Sequence, residues 1–132
     1  MKAVLQSIRP KWTEKILKGI KTKELRKSKP SHIEYPFKVY MYETKPGAGA
    51  VIGEYTCEGT ETSERPEHFV DGSCVPLEDI KVYMGKGKIS GWDISNVILY
   101  SKPEPLSNFG LSRPPQSWCY VECCVENKKL LD

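Results

Sequence analysis

The stretch Gly19-Ile20-Lys21-Thr22-Lys23-Glu24-Leu25-Arg26 closes a helix, opens a strand and crowds opposite charges together. Read as a strand running on to Lys29, it alternates. Thr22, Glu24, Arg26 and Ser28 then share one side, and Lys21, Lys23, Leu25, Lys27 and Lys29 the other. Neither side is apolar, so the strand either lies on a sheet edge or lines a polar cleft. In a cleft, Glu24 and Arg26 stand two positions apart on one face, within reach of charge-assisted hydrogen bonds. Lys21 falls at the mouth.

Upstream, residues 2–8 read as a strand, and Pro10 fits the first turn of a helix. Trp12 and Ile16, with Thr13 and Leu17, give that helix one apolar face, and Gly19 supplies a left-handed cap. So short a helix is marginal alone and must lie on a sheet. Downstream, residues 37–44 and 50–58 form a hairpin across the turn Lys45-Pro46-Gly47-Ala48-Gly49, with Gly53 marking a bulge or a close approach. Residues 59–73 are polar, acidic and poor in periodicity, and read as loop or irregular structure. Pro76 to Gly85 has proline early, carboxylates in its first turn and glycine at its end, the pattern of a second short helix.

Ile89–Ile94 and Asn96–Tyr100 read as strand with a kink at Ser95. Four prolines make Ser101–Pro115 an extended connection. Ser117–Cys123 is a last strand, and the tail from Asn127 to Asp132 is expected to be loosely held. Two helices among five to six strands argue a small α+β domain on a largely antiparallel, curled sheet, closed or nearly closed into a barrel. The whole chain, 1–132, reads as one domain.

Composition narrows the function. Residues 1–29 carry ten Lys or Arg against Glu14 and Glu24, a net +8, whereas the remainder is net −5. A basic end on an acidic chain suggests a face that attracts an anion, phosphate first. The plainer alternative is a solvated helix face beside a Lys-decorated edge strand. The five cysteines, Cys57, Cys74, Cys119, Cys123 and Cys124, lack paired metal-ligand spacing, and His32 and His68 add nothing to them. Neither a metal nor another cofactor is expected. The absence of an apolar run of spanning length or of a signal-peptide layout gives a cytoplasmic expectation with no membrane partner.

Gly19, Lys21, Glu24 and Arg26 resemble the G-x-K-x-x-E-x-R signature of the ASCH domain family, in the PUA-like superfamily of RNA-associated barrels. The context is similar too: Ser7-Ile8-Arg9-Pro10-Lys11-Trp12 ahead of it, and Gly91-Trp92-Asp93-Ile94-Ser95, Tyr100-Ser101-Lys102-Pro103 and Pro115-Gln116-Ser117-Trp118 after it. The resemblance implies a PUA-like barrel whose cleft faces RNA or a nucleotide. Lys21 and Arg26 are then anion or base contacts, and Glu24 accepts from a base edge or holds the basic groups. Some short ASCH proteins are similar to amidohydrolases acting on N4-acetylcytidine through a lysine, a threonine and a separate glutamate. Lys21 matches the lysine, Glu24 occupies the threonine position, and Glu78 is the candidate for the glutamate.

Three functions follow as expectations. The first is an RNA- or nucleotide-binding domain using Lys11, Trp12, Lys21, Lys23, Glu24 and Arg26, with Trp12 or Trp92 stacking on a base. The second is a hydrolase, an amidohydrolase or ribonuclease, with a desolvated Lys21 as base or nucleophile and Glu24 as proton shuttle. The third is an adaptor that contacts a basic protein through the acidic segment Glu58–Asp71.

Overall fold

The computed structural model describes residues 1–123, so Cys124 and the tail from Asn127 to Asp132 lie outside the described residues. The first strand, β1 (Lys2–Ile8), is buried on both faces: Val4 and Ile8 enter one core and Ala3 and Leu5 another. Pro10 then opens α1 (Pro10–Leu17), and Gly19 takes φ +76° just past its end, the left-handed cap that its type suggests. Thr13 and Ile16 form the buried side of this helix, and Leu17 turns to solvent instead of joining them.

The polar strand is shorter than the sequence suggests. Only Lys23–Arg26 ladder as β2, because Thr22 is claimed by other partners. Its N–H goes to the Gly72 carbonyl at 2.7 Å, and its carbonyl accepts from Ile94 N–H at 2.9 Å. The hairpin of β3 (Phe37–Glu43) and β4 (Ala50–Cys57) forms as expected, with a register shift at Met41/Tyr42 opposite Gly53.

Residues 59–73 depart in part from the reading as loop or irregular structure. They contain β5 (Thr60–Ser63), a 3-10 turn (Pro66–Phe69) and a kinked turn α2 (Val70–Ser73), anchored by the fully buried Phe69. Helix α3 (Leu77–Met84) packs Ile80 and Met84 against Phe69 and Ile89. The segment read as one kinked strand is two, β6 (Ile89–Asp93) and β7 (Ser95–Glu104), in different sheets. A second 3-10 turn (Leu106–Phe109) leads towards β8 (Trp118–Glu122).

The strands build a five-stranded sheet, β7-β4-β3-β1-β8, and a three-stranded sheet, β2-β6-β5. All pairs are antiparallel except β1 with β3, which run parallel because α1 and β2 intervene. The mixed α+β class holds. The count of five to six strands and two helices is corrected to eight and three among the described residues. Backbone pairing leaves two sheets in place of one closed barrel ladder. The largest core, with Val4, Ile8, Ile16, Val39, Tyr55 and Trp92, lies on the face of the large sheet that meets α1 and β6.

Candidate functional site

Strand β2 is both things that its polar sequence allowed, the edge of the small sheet and the wall of a cleft. Its alternation turns Glu24 and Arg26 inward and Lys23 and Leu25 the other way. Lys21 precedes the ladder and escapes that alternation, so it joins the inward pair. The expectation that it stands at the mouth is therefore corrected. Lys21 is 2% exposed and forms the floor.

Its ammonium donates to the Ser73 carbonyl at 2.5 Å, pairs with Glu24 Oε1 at 3.4 Å and lies 4.6 Å from the centre of the Trp12 ring. Burial pushes Lys21 below the ordinary lysine value, while the charge and hydrogen bond of Glu24 oppose that push. Glu24, 4% exposed, accepts on Oε2 from Arg26 Nε at 3.0 Å and Nη2 at 2.6 Å. Arg26 also donates from Nη2 to the Ser7 carbonyl at 2.7 Å, and from Nη1 to the Ser117 carbonyl at 3.0 Å and Oγ at 3.1 Å. A guanidinium has five N–H donors, and here each is spent on the protein. Arg26 orients Glu24 and clamps β2 to β1 and the start of β8.

The cleft has a volume of about 480 Å³. Arg9, Lys11 and Trp12 from the start of α1 line it, as do Asp79, Ile80 and Tyr83 from α3 and Gln116 and Ser117 ahead of β8. Behind the floor, Tyr55 Oη donates to Gln6 Oε1 at 2.9 Å, and burial, reinforced by the charge of Glu24, holds the phenol well above its ordinary value.

Of the residues expected at the site, Lys11, Trp12, Lys21, Glu24 and Arg26 come together. Lys23 does not: it turns away to Asp93 at 2.5 Å and Glu61 at 3.4 Å. Glu78 is also elsewhere, on the outer side of α3 with Lys81 at 3.5 Å, and Asp79 is the carboxylate that α3 brings to the cleft. Trp92 is fully buried, with its indole N–H on the Ser28 carbonyl at 3.2 Å, so it is a core residue and no platform for a base. The acidic segment is not a free loop either, since Glu61 is engaged by His68 at 2.8 Å as well as by Lys23.

Sequence reasoning missed the carbonyls of Ser7, Ser73 and Ser117, because any residue type carries one. Tyr83 and Asp79 carried a signal. They stand four positions apart, on one flank of a helix whose Ile80 and Met84 mark the packed side, so the two share a face next to that side. Among the described residues there is no cluster of three or more metal-ligating side chains, and no helix is long and apolar enough to cross a membrane.

This two-sheet α+β arrangement is the ASCH fold. The crystal structure of an ASCH protein from Zymomonas mobilis matches with a TM-score of 0.80 at 20% identity, over 98% of this chain and 93% of that one. A serine-to-alanine variant of that protein matches at 0.81 and 19% identity, over 98% and 94% of the two chains. A tyrosine-to-phenylalanine variant matches at 0.81 and 19%, over 99% and 97%. No protein-family model and no curated protein matches the sequence.

Proposed function

We propose that the chain is one ASCH domain, PUA-like over 1–132, that binds RNA or a nucleotide in the cleft beside β2 and acts in RNA metabolism. One observation carries this reading: a lysine and a glutamate, both almost wholly buried, meet at the floor of an open cleft rimmed by cations. Burying charge is costly, and a buried pair that bears the cost beside a cavity is a functional-site candidate. Lys21 and Glu24 are the ligand contacts at the floor, Lys11 and Trp12 belong to the wall, and Arg26 acts through Glu24 without touching the ligand. Fluorescence anisotropy with short single-stranded RNAs tests it. Binding is expected to weaken with salt and to fall by about tenfold or more in Lys21→Met. Salt-insensitive binding, or unchanged affinity in that variant, contradicts the assignment.

The placing of Lys21 against Glu24 on the floor of the cleft, where burial pushes the lysine below its ordinary value, favours a second reading, hydrolysis. With Lys21 as the base, the oxygen of an attacking water bonds to the acyl carbon, the C–N bond of an acylated cytosine amine breaks to release the carboxylic acid, and Glu24 relays the proton from Lys21 to the departing amine. In RNA the same base takes the proton of a 2′-hydroxyl whose oxygen bonds to the adjacent phosphorus, the P–O5′ bond breaks, and the proton passes to the departing 5′-oxygen. Chromatography of N4-acetylcytidine and short RNAs after incubation decides it. A Lys21-dependent product supports catalysis, and no product from either substrate leaves binding alone.

A further inference from the structure

The cleft is chemically layered, and the layers specify which part of a nucleic acid enters first. At the floor, Lys21 is paired with Glu24, and every donor of Arg26 is committed to the protein. An entering phosphate would meet the Glu24 carboxylate there and no uncommitted cation. A neutral polar edge meets complementary groups instead. Glu24 keeps lone pairs that can accept from a base amine, and the Ser117 hydroxyl, which accepts from Arg26, keeps its proton to donate.

At the rim the balance reverses. Arg9 and Lys11 line the opening, and among the described residues neither forms an ion pair. They are the cations available to an anion.

The aromatic walls differ as well. The Trp12 ring already holds the ammonium groups of Lys11 and Lys21, each 4.6 Å from its centre. Tyr83, 40% exposed, has among the described residues one cation over its ring, that of Lys27, 5.1 Å from the centre, a weak contact at an exposed site. Tyr83 is thus the surface on which a base can stack. About 480 Å³ is the scale of a small-molecule pocket, one nucleotide and not a stretch of duplex.

We infer that the cleft takes a single unpaired, phosphorylated nucleotide, its base stacked on Tyr83 above the Lys21–Glu24 floor and its phosphate held at the rim by Arg9 and Lys11. This rests on the nucleotide-binding reading above and adds an orientation, a requirement for phosphate and a requirement that the base be unpaired.

Calorimetric titration of the full chain with the four ribonucleosides, their 5′-monophosphates and inorganic phosphate tests the inference. At least one monophosphate is expected to bind about tenfold more tightly than its nucleoside, with inorganic phosphate much weaker than either. The double variant Arg9→Ala/Lys11→Ala, both surface positions, removes that gap. Tyr83→Ala weakens nucleoside and monophosphate alike, by about fivefold or more. A duplex RNA binds more weakly than its separated strands. Equal affinity for nucleoside and monophosphate, a gap that survives in the double variant, or duplex binding as tight as single-strand binding overturns the inference but leaves nucleotide binding standing. No binding of any nucleoside, nucleotide or short RNA overturns both.

Discussion

Arg26 shows how a residue that looks like a ligand contact serves the scaffold. Its planar fork satisfies a carboxylate on its own strand, the Ser7 carbonyl of β1 and the Ser117 carbonyl just ahead of β8, which a point-charge lysine cannot reproduce. Removing it leaves Glu24 buried with Lys21 as its remaining cation among the described residues, so Arg26→Met is expected to cost about 3–5 kcal/mol in urea unfolding. A change below about 1 kcal/mol contradicts the clamp. Lys21 predicts a pH dependence. Because its folded value lies below the ordinary 10.5, the unfolded chain holds a proton across the interval between the two that the native chain has released. Its contribution to stability therefore rises with pH up to 10.5. Lys23 has the opposite sign: burial pulls it down, but Asp93 and Glu61 together outweigh that and hold it above 10.5, so its contribution is lost as pH rises through the folded value. The difference in unfolding free energy between the native chain and Lys21→Met cancels Lys23. That difference should move in favour of the native chain as pH climbs, and a flat or falling difference contradicts the assignment.

At the scale of elements, glycine and proline made most boundaries legible. Pro10, Gly19 and the prolyl-glycyl turn at 46–47 each stand where an element begins or ends, because backbone restrictions act locally. Gly53 was read as a bulge or a close approach and is both: a Cβ there would lie 2.2 Å from the Ile98 carbonyl oxygen of the neighbouring strand. Gly53→Ala is therefore expected to destabilise by about 3 kcal/mol with little change in the denaturant slope. A cost under about 0.5 kcal/mol contradicts the close contact. The strand within 59–73 departs from the reading as loop or irregular structure because its order is not local. Strand β5 pairs only with β6, almost thirty residues on, and the 3-10 turn is fixed by Phe69 lying in the α3 core. The extent of β2 was misjudged for a like reason, since Thr22 loses its ladder place to Gly72 and Ile94, which no local pattern announces.

For the whole molecule, the α+β class and the polar cleft were readable, and the closure of the sheet was not. Alternation reports that a strand has two environments, but it does not say which strands are neighbours. The two sheets meet around Trp92 and Phe37, whose rings lie 5.9 Å apart, and through the Arg26 clamp. The charge division along the sequence translates only in part, since Lys23 is neutralised by carboxylates from β5 and β6 while Arg9 and Lys11 reach the cleft. The position of Lys21 departs furthest from what the sequence pattern suggests, because a residue expected as a surface cation is buried and paired. The most direct test of the account is a two-dimensional amide NMR titration of the protein with a short single-stranded RNA. Perturbed resonances should gather at residues 9–12, 21–26, 79–83 and 116–117. Shifts confined to another face, or none at a saturating RNA concentration, would contradict a ligand site at the Lys21–Glu24 floor.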